Sequence, residues 1–119
     1  MPVRSLHSSV LKWPNREQVD SAAREWLRLE GARHPELCRL GYFGSYARGD
    51  WGVGSDLDLV AVVKESTEPS YRRALEWDLS GLPVPADLLV YTLAEWDHLM
   101  AGDSLLARTL KREAVWLCP

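Results

Sequence analysis

A chain of 119 residues, 46% of them hydrophobic, supplies one small core and too little apolar material for a second. Its formal charge of −3 and pI near 5.6 argue against an extended nucleic-acid-binding surface, and so against a template-dependent polymerase, while leaving room for a local basic patch. No membrane-spanning run or signal peptide is evident, and Cys38 and Cys118 lack Cys-x-x-Cys spacing, so a reduced, cytoplasmic protein is expected.

Met1–Pro14 carries no clear period, and Ser8–Leu11 reads as either a short edge strand or an arm. Asn15 predicts the cap of a helix from about Arg16 to Glu30, with Val19, Ala22, Ala23, Trp26 and Leu27 on one stripe and Trp26 in the core. Cys38–Phe43, Leu57–Val63 and Ala86–Tyr91 predict three central strands. Between the second and third, Tyr71, Ala74, Leu75 and Leu79 recur at helical spacing over Ser70–Leu79, which predicts a βαβ-like crossover ending at Gly81. Thr92-Leu93-Ala94-Glu95 is a capping box opening a helix to about Ala101. A further helix is expected from Asp103 or Ser104 to about Arg112, then a short strand over Ala114–Leu117. The expected fold class is therefore α/β (α+β), a small mixed sheet of about four strands flanked by helices, with residues 1–119 forming one domain. His7, His34 and His98 show no ligand spacing and read as surface or structural residues.

The chemistry concentrates in Gly44–Val63. Asp56 and Asp58 flank one leucine at the start of a buried strand. Residues i and i+2 of a strand share a face, roughly 7 Å apart at a rise of about 3.3 Å per residue. Two anions so placed repel each other and lose solvation unless a cation compensates, and Mg²⁺, a hard ion that takes oxygen ligands, fits that need. Upstream, Leu40–Phe43 ends a strand and Gly44-Ser45 turns the chain into a short Tyr46-Ala47-Arg48 segment. Glycine gives the backbone freedom for a sharp turn or a close phosphate approach, and serine is a favoured N-cap. A strand-turn-helix with free N–H groups is a candidate anion site, which Arg48 could serve with its planar fork. Gly52-Val53-Gly54 leads into a strand rather than a helix, so it fails as a dinucleotide fingerprint, and no Walker lysine is present.

Asp87 opens the next apolar strand. If that strand lies beside Leu57–Val63, about 4.8 Å away, Asp87 joins Asp56 and Asp58 over one patch; otherwise it is a solvated strand terminus.

Gly44-Ser45, ten intervening residues, Asp56-Leu57-Asp58 and the later Asp87 resemble the signature of the DNA polymerase β-like nucleotidyltransferase superfamily. Gly-Ser-Tyr-Ala-Arg-Gly-Asp followed by Ser-Asp-Leu-Asp-Leu is most similar to its minimal nucleotidyltransferases, over roughly residues 38 to 117. The resemblance implies that Asp56, Asp58 and Asp87 are catalytic and hold two Mg²⁺ ions. It also implies that Gly44, Ser45 and Arg48 bind the phosphates of a nucleoside triphosphate, most simply ATP.

It implies a hydroxyl acceptor as well. Larger relatives append an acceptor-binding domain, for which this chain has few residues to spare, so a partner chain is expected, either a homodimer mate or a hetero-oligomer subunit. Minimal nucleotidyltransferases commonly pair with a small helical HEPN protein as toxin and antitoxin, adding AMP to a tyrosine of the HEPN ribonuclease. An antibiotic-type nucleotidyltransferase and a non-catalytic antitoxin or binding module are the alternatives. Six tryptophans are many for one small core. Trp51, Trp77 and Trp96 are candidates for a partner surface, with core packing the simpler reading.

Overall fold

Leu57–Val63 is β-branched and apolar almost throughout, and it forms the most deeply buried strand, β2. A computed structural model describes residues 13–118, so the Ser8–Leu11 stretch lies outside the described residues. Before β2 come helix α1 (Arg16–Gly31), strand β1 (Leu37–Phe43) and the single-turn helix α2 (Ser45–Arg48). After it come α3 (Ser70–Arg73), a 3₁₀ turn (Ala74–Glu76), β3 (Ala86–Thr92), α4 (Leu93–Ala101), α5 (Leu105–Glu113) and β4 (Val115–Cys118).

The sheet has four strands in the order β3-β2-β1-β4, with β2 and β3 parallel and the other pairs antiparallel. Alternation along the strands sorts their side chains onto two faces. One face carries Leu40, Tyr42, Leu57, Leu59, Ala61, Leu88 and Val90, and packs on Val19, Ala23 and Trp26 of α1. The other carries Val60 and Val62, covered by Trp96 of α4 and Leu110 of α5. Each Val or Leu among them contributes about 1.5–3 kcal/mol by leaving water. Asp58 shares this second face with Val60 and Val62, at the end of the strand where the helices no longer cover it.

The helix starts follow their caps. The Asn15 side chain accepts from the Gln18 N–H while Gln18 answers to Asn15, and Thr92 and Glu95 form the same reciprocal pair at α4. Ser104 caps α5. Gly41 admits β4, since a Cβ there would collide with the Val115 carbonyl oxygen and the Trp116 ring.

The crossover departs from expectation. Instead of one helix over Ser70–Leu79 it holds a single α-turn and a 3₁₀ turn, with Tyr71 and Leu75 80% and 77% exposed. Helical spacing there does not mark a buried stripe, because Trp77 leaves the helical region (φ −107°, ψ 136°) and stacks its ring on His34, with centroids 3.7 Å apart. Trp77 and Trp96 are buried, which removes both from any partner surface, and Trp51 is half-buried and stacked on Tyr46. His34 is structural: its ring also meets the buried Glu30 carboxylate at 3.1 Å. Among the described residues, no helix is long and apolar enough to cross a membrane.

Candidate functional site

The parallel pairing of β2 with β3 places Asp58 directly opposite Asp87. In parallel strands, residues in register point to the same face, so the two carboxylates rise side by side. Asp56 stands just before β2, where the Leu57 N–H donates to the Pro85 carbonyl at 2.8 Å and carries the ladder one step beyond the strand. A turn delivers it: Ser55 Oγ accepts from the Gly52 N–H at 2.8 Å, and Gly54 takes the left-handed conformation (φ +89°).

The antiparallel pairing of β1 with β2 sets Phe43 opposite Asp58, which brings the next residue, Gly44, to the rim of the same patch. Gly44 has φ +83° and ψ −154°, a region essentially confined to glycine. A Cβ there would run into the Asp58 carboxylate. Gly44, not Ser45, is the N-cap of α2; Ser45 is the first helical residue and makes no side-chain cap. Tyr46 is fully buried on the α1 side of the sheet, its O–H donating to the Pro14 carbonyl and accepting from Trp13 Nε1, both at 3.0 Å.

Arg48 is half-exposed. Its Nε donates to Asp50 at 3.0 Å and its Nη1 to Glu113 Oε1 at 3.3 Å, and these two acids raise its pKa further. Glu113 was not legible in the sequence as a site residue. It closes α5, its side chain is 7% exposed, and Oε1 also accepts from the Gly44 N–H at 2.9 Å. A signal was nevertheless present: an acid in the last turn of a helix, after Lys111 and Arg112, sits where the helix macrodipole disfavours negative charge.

The patch is therefore strongly anionic. Burial pushes the Asp58 carboxyl above the usual range, and the charges of Asp87, Asp56 and Glu113 push the same way against Arg48. An all-oxygen, like-charged donor set of this kind suits a hard divalent cation. Among the described residues, no three or more His, Cys, Asp or Glu side chains converge closely enough to hold a metal ion by themselves. A cation here would draw its remaining oxygens from water and substrate, the mode Mg²⁺ favours. Beside Asp58 and Asp87 opens a groove of about 710 Å³, whose walls include Phe43, Leu75, Leu79 and Leu89.

Among curated proteins none matches the chain. Among solved structures, a nucleotidyltransferase candidate from Sulfolobus solfataricus superposes with a TM-score of 0.61 at 22% identity, over 85% of this chain and 80% of that one. A chain from a toxin–antitoxin complex crystallised with AMP-PNP superposes with a TM-score of 0.52 at 19% identity, over 82% of this chain and 71% of that one. At these identities the likeness establishes the fold. The nucleotidyltransferase domain family itself matches residues 29–117, a span running from the end of α1 into β4 and containing Gly44, Asp58, Asp87 and Glu113. The chain belongs to that nucleotidyltransferase domain family.

Proposed function

We propose that this chain transfers a nucleoside monophosphate, AMP from ATP, to a tyrosine hydroxyl of a HEPN-domain toxin, acting as the antitoxin of the pair and as one nucleotidyltransferase domain over residues 1–119. The observation that carries the reading is the in-register placement of Asp58 and Asp87 on one face beside the Gly44-Ser45 turn. The superposition with a chain from a toxin–antitoxin complex supports the biological context. The anionic character of the site supports the metal.

Asp56, Asp58 and Asp87 would hold the Mg²⁺, two ions in this reading, which when bound would supply neutralisation of phosphate charge and activation of the hydroxyl. Ser45 and the turn's backbone N–H groups orient the β- and γ-phosphates, with Arg48 as a further contact. The tyrosine oxygen forms a bond to the α-phosphorus as the bond to pyrophosphate breaks. Asp87, exposed at the groove mouth, accepts the hydroxyl proton. Pyrophosphate leaves past Ser45 and Arg48, and the toxin departs as its adenylyl ester.

The test is incubation with each α-labelled nucleoside triphosphate, Mg²⁺ and the product of the neighbouring gene. Label on a HEPN tyrosine, with ATP as the best donor, is expected. Label on no protein with any nucleotide sinks the reading.

A further inference from the structure

Glu113 is a fourth carboxylate at the site, and nothing in the triad chemistry requires it. Its presence carries two costs. It lies at a helix C-terminus, where negative charge is disfavoured, and its charge adds to the repulsion on Asp58. A neutral side chain would remove both.

We propose that Glu113 is a positioning residue: it holds the Gly44 amide and the Arg48 guanidinium in the arrangement that receives the triphosphate. This rests on the nucleotide-transfer reading above. Gly44 occupies a backbone region that no side chain of its own stabilises, and α2 has no side-chain cap, so the turn keeps its shape through what grips it from outside. Inside the turn, the Arg48 N–H donates to the Gly44 carbonyl at 2.9 Å. From outside, Glu113 Oε1 takes the Gly44 N–H.

The carboxylate arrives there by register. Tyr42 of β1 pairs with Val115 of β4, so Gly44 and Glu113 continue the same antiparallel pair by two residues from each strand, and Gly41 lets the backbones approach. The same oxygen draws in Arg48 Nη1 while Asp50 holds Nε. Nε and Nη1 are thereby both held, and the Arg48 side chain is 47% exposed beside the site. Removing Glu113 leaves Gly44 without this partner and frees Arg48 to rotate.

Two measurements test this together: the Kd of a non-hydrolysable ATP analogue with Mg²⁺, and hydrogen exchange at the Gly44 amide. Glu113→Ala is expected to weaken the Kd roughly tenfold, the effect of one charge-assisted hydrogen bond, and to accelerate Gly44 exchange. Glu113→Gln, whose amide oxygen still accepts both donors, is expected to recover the Kd to within about threefold and to restore protection. In transfer assays the loss should fall on KM, with kcat within a few-fold, because Glu113 is not placed against the reacting atoms. If Glu113→Ala does not fold, Glu113→Leu, which keeps the volume, carries the same expectation.

Wild-type affinity in the Ala or Leu variant overturns the inference while leaving the function intact. So does a lower melting temperature with unchanged Kd and KM, or a loss confined to kcat in both the Ala and Gln variants. No nucleotide binding by the wild type overturns the function and this inference together, so the two failures are told apart by the wild-type titration.

Discussion

Gly44 and Asp58 touch so closely that the absence of a side chain at one is a condition for the carboxylate of the other. The contact joins the two halves of the site, the turn after β1 and the acid in β2, through backbone pairing of Phe43 with Asp58. The glycine answers two demands at once: its φ of +83° and the space its missing Cβ leaves for Asp58.

Gly44→Ala is therefore expected to abolish transfer. The alanine must either displace the Asp58 carboxylate or leave the glycine-only region, at a cost of about 1–3 kcal/mol. A lowered melting temperature with activity lost even at low temperature checks this; a variant with wild-type turnover would mean the turn adapts without moving Asp58.

Asp58→Asn and Asp87→Asn should separate stability from activity. Each removes one of two carboxylates that face each other in register, so each is expected to leave the metal-free protein as stable as wild type or slightly more so, by up to about 1 kcal/mol. Each should also lose Mg²⁺-dependent transfer. Because a ligand that binds only the folded state raises its stability, millimolar Mg²⁺ should raise the wild-type melting temperature and leave that of Asp58→Asn unmoved. An equal rise in both would place the cation elsewhere.

Acid sensitivity should come from Glu95. Hydrogen bonds from Arg73 and from the Thr92 N–H and side chain hold its carboxyl down to about 2, while Arg73 itself is buried and also donates to the Val90 carbonyl at 3.1 Å. A carboxyl whose folded pKa lies below its ordinary value of 4.5 stabilises the fold above that value, and the contribution fades as pH falls toward about 2. The Glu95 side chain is 43% exposed, so solvent screening keeps the effect modest. Glu95→Gln is expected to melt a few degrees below wild type at pH 6 and to converge with it near pH 2; a constant gap across that range would assign the loss to packing.

The strand starts that carry Asp58 and Asp87 and the turn at Gly44 were legible because each depends on local pattern, strand period, turn chemistry and an acid opening an apolar run, whereas Ser45, expected as the helix cap, makes no cap. The strands and caps were legible for the same reason. Three things were not. Glu113 reaches Gly44 across 69 positions, through a strand pairing that no local signal encodes. The Ser70–Leu79 periodicity counted apolar residues correctly, but burial there is decided by Trp77 stacking on His34, just after α1, on the α1 side of the sheet. The fate of Trp77 and Trp96 likewise depends on which helices cover the sheet, which single-element patterns leave open.

Tyr46 lies in the middle of the sequence signature, yet its hydroxyl points away from the acids, into the stretch before α1. That O–H both donates to the Pro14 carbonyl and accepts from the Trp13 indole, so Tyr46→Phe leaves two partly buried polar groups without their partner while preserving the ring's stack on Trp51. The expected cost is about 1–3 kcal/mol of stability. Transfer per folded molecule at low temperature should be unchanged, because the ring still fills the core under the turn and Gly44 and Ser45 keep their backbone. A Tyr46→Phe protein of normal melting temperature but impaired transfer would show that the hydroxyl serves the chemistry, and that this side of the turn, and not only its Gly44 edge, is part of the catalytic apparatus.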